Sequence, residues 1–433
     1  NKFKLFLKME NIFVEKFGGA SVNSAEAVRN VFKILSMEQK KRVIVVSAMG
    51  KTTNKLEDIV NKWFNSNIFY DEQYENLIEY HNNIIENLFS TKEQEGTKAK
   101  ISLLFQELKS KLIRLPRNDY NFIYDSIVSF GERISTTIVS DFLNANKLTN
   151  KLVYAIDLIK TDNNYRDANV DWANTQKAVE ETIVPILEHY DTVITQGFIG
   201  GTKENLATTL GREGSDYSAA ILAHCLRSNS MTIWKDVPGL LNADPKRVEN
   251  TTKLVSIPFK EAIELSFYGA SIIHPKTIKP LENLSIPLYI KSFVKPEDEG
   301  SVICANPELN PIVPNYIFKD NQLLLSISPK DFSFIDEKNS ASIFEIFARN
   351  KVKVNLMQNS AISFSVSVDE NRNILPQLLE DLQKDYKVRY NTKLQLITIR
   401  HYNQQAIDSV LQNREKIIEQ KSRTTAQFLV NMQ

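Results

Sequence analysis

The sequence predicts an α/β fold that carries a helical insert and is followed by a smaller α+β region, and three observations predict it. Short β-branched runs alternate with helical stretches over residues 12–50. The stretch from Asn54 to about Asn146 contains only Gly96 and Gly131 and repeats its apolar residues at helical spacing. Beyond a Pro/Asn-rich segment at residues 305–315, strands and helices follow in βαββαβ order.

The first unit reads strand (IFVEKF), glycine turn (GGASVNS), helix (AEAVRNVFKILSM) and strand (VIVVSA), the pattern of a covered parallel sheet. The helical insert, 54–146, includes LEDIVNKWF and ISLLFQELKSKLI. The α/β texture resumes with KLVYAIDL and DTVITQGFIG, then a glycine turn, the helix DYSAAILAHCL and the strand MTIWKDV. SIPFKEAIELSFYGASIIHPKTI reads as a strand end, an amphipathic helix capped near Gly269, and a short helix started by Pro275. After the boundary come the strand QLLLSIS, the helix SASIFEIFARN, the strands VKVNLM and AISFSVSVD, the helix ILPQLLEDLQKDY and the strand VRYN. LQLITIRHY, AIDSVLQN, KIIEQ and TAQFLVNM then echo that split-βαβ plan.

At 433 residues, two or three domains are expected. Lys plus Arg (53) and Asp plus Glu (52) nearly cancel, so no long-range field favours nucleic acid or an acidic membrane, and any anion site has to be built locally. Cys225 and Cys304 lie far apart without a CxxC partner, which fits a reduced, cytoplasmic protein. The five histidines lack metal-ligand spacing, so no protein-held metal is expected. No apolar run approaches the roughly 20 residues that span a bilayer, and the first residues mix charge and hydrophobe too finely for a signal peptide. Met9 fits a native start.

Five segments carry chemistry. Lys16-Phe17-Gly18-Gly19-Ala20-Ser21 follows a strand: adjacent glycines let backbone N–H groups approach an anion, a helix N-terminus follows, and Lys16 adds a point charge suited to phosphate. An ordinary strand-to-helix turn with a solvated lysine is the plain alternative. Gly50-Lys51-Thr52 imitates the end of a Walker A loop, but that motif needs glycine at position 45, which is Val; Ser47, Thr53 and Asn54 remain polar lining above the strand end. In Thr208–Ser218 a glycine turn, the Arg212 fork and Ser215-Asp216 at a helix start form a cluster that N-capping alone does not explain. The loop from Asp236 to Lys246 has the character of a ligand-bearing connection. Phe130-Gly131-Glu132-Arg133 closes the helical insert.

Together these segments resemble the aspartokinases. KFGGxSV, FGER, QGFIG, TLGRxGSDYSA, KDVPGLLNADP and YGASIIHP stand in that family's order and approximate spacing over essentially the whole chain. The resemblance implies a three-layer amino-acid-kinase (carbamate-kinase-like) sandwich over residues 9–306, with tandem ACT-like, ferredoxin-type regulatory modules over 307–433 that join homodimers or larger homo-oligomers. It implies transfer of the γ-phosphoryl group of ATP, with Mg2+, to the β-carboxylate of L-aspartate. Lys16 and Asp216 then serve catalysis. Arg212 takes the substrate α-carboxylate and Glu132 its α-ammonium, while Ser47, Thr53 and Ser215 complete the pocket. Lys16, Gly18, Gly19, Ser21, Asp236 and Lys246 hold the nucleotide.

Three positions depart from the family pattern: Ala20 where many relatives have Thr, Glu213 where they have Gly, and Ser271 where a lysine often helps hold ATP. In the first regulatory module Asn355 stands where lysine-sensitive relatives place an aspartate, and Ala361 where they place a glutamate. Asn355 and Ser360 are the effector-binding candidates, and loss of tight lysine control is expected, with threonine or no effector in its place. Two other readings fit the residues: a kinase for another amino acid or a nucleotide, and a non-catalytic amino-acid sensor on a kinase scaffold. The helical insert and tail weigh against the first, and Lys16, Glu132, Arg212 and Asp216 against the second.

Overall fold

β-Branched and aromatic residues predominate in Ile12–Phe17 and Lys41–Val46, which pair in parallel register at the centre of the main sheet. The computed structural model describes residues 11–66, 71–270, 273–331, 333–412 and 414–432. Met9 and Ser271 lie outside these residues. From edge to edge the eight strands are Ser256–Pro258, Ser301–Cys304, Leu288–Ser292, Ser230–Lys235, Ile12–Phe17, Lys41–Val46, Thr192–Gln196 and Asn150–Leu152. The six from Leu288–Ser292 onward run parallel, whereas Ser301–Cys304 is antiparallel to its neighbour Leu288–Ser292. The expected parallel sheet is therefore mixed at one edge.

The helical insert comprises Thr52–Ser66, Asp71–Leu88, Thr91–Arg114, Tyr120–Val128 and Phe130–Ala145. Ser90 and Glu93 form a capping box on the third of these helices, and Asp119 caps the fourth by accepting from the Phe122 N–H. The insert does not make a core of its own. Leu56, Leu77, Ile101, Phe105 and Ile123 pack in one continuous cluster with Val28, Val31, Ile44 and Val46 of the first α/β unit. KLVYAIDL, apolar enough for a long strand, yields only the three-residue strand Asn150–Leu152 and a helical turn at Ala155–Leu158. The amphipathic helix Phe259–Tyr268 ends at Gly269, whose φ is +106°, and Pro275 opens the helix Pro275–Asn283, as expected.

The chain divides into two compact units. One comprises residues 1–240, 253–263 and 272–311; the other comprises 241–252, 264–271 and 312–433. The second unit is a six-stranded antiparallel sheet in the order Val354–Asn359, Phe364–Asp369, Asn315–Pro329, Tyr386–Arg400, Thr425–Asn431, Lys416–Lys421. The sequence reads VRYN and LQLITIRHY as separate strands, but they are one strand of 15 residues, paired with an equally long partner at Asn315–Pro329. Register shifts between Lys319, Gln322 and Leu324 mark where the two modules fuse into one sheet. Helices Glu337–Arg349 and Leu375–Asp385 cover one half through Ile343, Phe347, Leu378 and Leu382. Gln404–Leu411 covers the other through Ala406, Ile407 and Leu411.

Because the insert shares the core of the first unit, its central aromatic is a sensitive site. Phe105 is fully buried, and its ring meets Tyr74 edge-on at 5.7 Å. Phe105→Ala is expected to cost about 3–5 kcal/mol and to lower the melting temperature of the whole first unit. A melting curve unchanged by the substitution would refute the shared core.

Candidate active site

Open α/β sheets bind ligands beyond the carboxyl ends of their strands, and three such ends converge here. The Ser47 N–H donates to the Phe17 carbonyl at 3.1 Å, the Gly50 N–H to the Gly19 carbonyl at 3.0 Å, and the Gly197 N–H to the Val46 carbonyl at 3.0 Å. The contacts are close enough to require glycine. A Cβ at Gly19 would lie 2.8 Å from both the Ala48 and the Gly50 carbonyl oxygens, and one at Gly197 would lie 2.6 Å from Ser215 Cβ. Gly19–Val22 forms a single 3-10 turn, closed by the Ser21 N–H donating to the Gly18 carbonyl at 2.9 Å. The Ser21 hydroxyl donates to the Trp234 carbonyl at 3.5 Å.

Lys16 Nζ lies 2.6 Å from Asp216 Oδ1, both side chains being nearly buried. This is a charge–charge contact, because Oδ1 makes no aligned hydrogen bond. Asp216 sits in the first turn of Gly214–Leu226, where a carboxylate is favoured by the exposed N–H groups of the helix start. The ammonium also borders Gly18, 3.4 Å from where a Cβ would stand. Glu213, the N-cap, adopts a left-handed conformation (φ +55°) and turns its carboxylate away to accept the His274 N–H at 2.8 Å. That orientation explains how glutamate is accommodated where the family pattern has glycine. Arg212, one residue earlier, is exposed and makes no ion pair among the described residues.

Glu132 is the most unusual group. It is 2 % exposed, its Oε1 accepts the Ala48 N–H at 3.3 Å, and its Oε2 has no partner. Burial pushes its pKa up to about 8, against the pull of the Ala48 N–H. A buried carboxyl with one free oxygen, against the 47–50 turn, has the chemistry to receive an ammonium group. Gly131 lets this helix lie against the turn, with Ala48 Cβ 3.0 Å from its missing side chain, and Ser135 donates to the Ser47 carbonyl at 2.7 Å.

Of the residues singled out in the sequence, Lys16, Gly18, Gly19, Ser21, Ser47, Glu132, Ser215 and Asp216 are linked by these contacts. Thr53 lies in the first turn of Thr52–Ser66, and Asp236 is exposed just past the strand Ser230–Lys235. Lys246 belongs to the second unit, where its N–H donates to Asp244 Oδ1 at 2.9 Å. Asn355 and Ser360 also lie there. The Asn355 amide oxygen accepts Lys319 Nζ at 2.8 Å, and its NH2 donates to Gln322 and Asp369, each at 2.9 Å. The Ser360 hydroxyl accepts the Ser363 N–H at 3.2 Å and so closes a turn.

Two positions escaped the sequence reading. Tyr80 of the insert donates to the Asn23 carbonyl at 2.7 Å and stands where a Cβ on Gly50 would be, bracing both flanks of the Gly18–Gly19 turn. Asp125 is fully buried among three donors, and burial raises its pKa to about 6. The only signal was an aspartate inside a mostly apolar helix, YNFIYDSIV.

Residues 11–292 match the profile of the amino acid kinase family. Aspartokinase 2, chloroplastic, of Arabidopsis thaliana is 30% identical over 89% of this chain and 73% of its own length. Lysine-sensitive aspartokinase 3 of Escherichia coli is 28% identical over 83% and 79%. The bifunctional aspartokinase/homoserine dehydrogenase of Buchnera aphidicola is 29% identical over 88% of this chain but 48% of its own, so the chain spans about half the length of that relative. The structure of Escherichia coli aspartokinase III in complex with aspartate and ADP superposes with a TM-score of 0.83 and 26% identity over 97% of this chain and 96% of the other.

The Glu132 carboxyl gives the empty site a pH signature. Its pKa rises from about 4.5 unfolded to about 8 folded, so the folded state holds the extra proton between those values. Stability from this group is then complete below about pH 4.5 and declines as pH rises toward 8. Glu132→Gln should flatten that decline in denaturant melts between pH 5 and 8. Parallel pH profiles for the two proteins would show that the carboxyl is not held neutral.

Proposed function

The chain belongs to the amino acid kinase family, among its aspartokinases, and on that premise we propose that it transfers the γ-phosphoryl group of MgATP to the β-carboxylate of L-aspartate, giving 4-phospho-L-aspartate. One observation carries the reading: the Lys16–Asp216 pair at a glycine anion turn, with the buried, half-unpaired Glu132 on the facing turn.

A carboxylate is already a nucleophile, so the site needs no general base. Its work is to bring two anions together and to neutralise charge on the group in transfer. Lys16 supplies the positive charge, held in place by Asp216, and the half-buried Gly18–Gly19 turn offers its backbone N–H groups to phosphate oxygens. Mg2+ arrives with the nucleotide. Arg212, free of any ion pair among the described residues, is suited to a bidentate grip on the α-carboxylate. Glu132 receives the α-ammonium by giving up its proton. Ser47, Thr53 and Ser215 line the pocket, Ser21 steadies the turn, and Asp236 serves the nucleotide. The second unit is proposed as the regulatory, self-associating region.

Purified protein should therefore consume ATP only with L-aspartate and Mg2+. L-Glutamate should be a poor substitute, although one methylene by itself is worth only about 1–3 kcal/mol. Lys16→Ala should lower kcat about 10²–10³-fold with little change in the KM for aspartate. Equal turnover of glutamate would sink the substrate assignment, and a kcat retained in Lys16→Ala would sink the electrostatic role.

We propose further that lysine alone does not control this enzyme tightly. Burying an ammonium requires a carboxylate or several acceptors, and the Asn355 amide is engaged by Lys319, Gln322 and Asp369. Titrating lysine and threonine, singly and together, into the aspartate-dependent assay decides the matter. Strong inhibition by micromolar lysine alone would refute it.

A further inference from the structure

Asp125 receives three hydrogen bonds from two separate segments. Its Oδ2 accepts the backbone N–H groups of Arg166 and Thr209, each at 2.9 Å, and its Oδ1 accepts the Thr209 hydroxyl at 2.7 Å. Thr209 ends the strand Ala207–Thr209, three residues before Arg212. On the other side, Asp125 lies on the helix Tyr120–Val128, and its carbonyl accepts the Ser129 N–H at the junction with Phe130–Ala145, the helix that carries Glu132. A single carboxylate thus ties the segment leading to Arg212 to the helix pair bearing Glu132.

The turn it holds is also shaped by close backbone contacts. Gly211 has φ +77°, and its missing side chain faces Asp167 Oδ1 at 2.7 Å. The Ala168 N–H donates to the Thr209 carbonyl at 3.0 Å, which joins the same strand to the 166–168 turn. Arg166 stacks over Tyr124 at 4.3 Å, so the turn also rests on the helix that carries Asp125. Hydrogen bonds to a carboxylate are stronger and more directional than those to a neutral group. A buried carboxylate costs desolvation that an apolar residue would not, and what it provides here is aim.

We infer that Asp125 is a positioning residue for amino-acid recognition: by clamping Thr209 to the Glu132 helix pair, it fixes where Arg212 stands relative to Glu132 and so the depth at which the α-carbon is held, which limits the length of side chain accepted. This rests on the reading of those two residues as the grips on the α-carboxylate and α-ammonium. With both grips fixed, the side-chain carboxylate of a shorter amino acid is placed at one depth, toward Lys16. With Thr209 released, Arg212 can drift and a longer acceptor can be tolerated.

The test compares Asp125→Ala, Asp125→Asn and Thr209→Val with the unaltered protein. Asp125→Ala should raise the KM for aspartate about tenfold or more, change kcat and the KM for MgATP little, and lower the aspartate-to-glutamate ratio of kcat/KM. Thr209→Val removes only the hydroxyl bond and should shift the same quantities partway. Asp125→Asn keeps an acceptor for both N–H groups and should restore most of the loss. A purely structural residue would lower the melting temperature and leave the KM and the ratio unmoved, and that result in the folded variants would overturn the inference. If Asp125→Ala does not fold, an unshifted Thr209→Val overturns it equally. Hydrogen exchange over residues 207–213 supplies a readout independent of substrate: Asp125→Ala, or Thr209→Val in its place, should deprotect this segment, and unchanged protection would overturn the clamp whatever the enzyme turns over. Failure of the unaltered protein to use aspartate would overturn the proposed function instead, leaving the exchange measurement to decide the clamp.

Discussion

A lysine ammonium removed from water needs a counter-charge held at fixed range, and much of the first unit is arranged to provide it. Lys16 is carried by a central strand and Asp216 by the first turn of the helix Gly214–Leu226, so their contact joins two elements far apart in sequence. The pair costs desolvation, and it is tolerated because both partners are present and the helix start favours the carboxylate. Substituting either partner leaves a buried charge uncompensated, which makes this contact the point where stability and proposed chemistry meet.

Around that pair the backbone is packed too closely for side chains. Gly19 lies against the 48–50 turn, Gly197 against Ser215 and Gly131 against Ala48. Three strand ends are thereby drawn into one place, joined by the Ser47, Gly50 and Gly197 N–H groups. Such crowding explains why the motifs of this chain are rich in glycine although glycine is scarce elsewhere: there are 13 in 433 residues.

The helical insert has a physical share in the site. It closes the same core as the sheet, and Tyr80 and Glu132 reach from it to the turns that flank Gly18 and Gly19. Burial favours the neutral form of the Glu132 carboxyl, and the fold leaves its Oε2 without a partner to offset that cost. In the second unit the polar groups of Asn355, Gln322, Asp369 and Lys319 satisfy one another instead. That contrast separates a buried carboxyl with an unpaired oxygen from a network whose polar groups are paired.

The order of strands and helices and the glycine turns were legible in the sequence, which also named Lys16, Asp216 and Glu132 before the fold showed how each is buried, because periodicity, turn chemistry and motif order are local properties of the chain. The sequence did not show that VRYN and LQLITIRHY form one long strand, nor that KLVYAIDL yields so short a strand, since strand length depends on which partners are available to pair. It placed Glu213 beside the anion turn without showing that its carboxylate turns to His274. Nor could it show the roles of Asp125 and Tyr80, whose partners lie 41, 57 and 84 residues away. Local chemistry named the groups that can act. Only the tertiary structure decided which of them are buried, which are already paired and which still have an open valence for a ligand, because burial and pairing are set by residues that the chain brings together only when it folds.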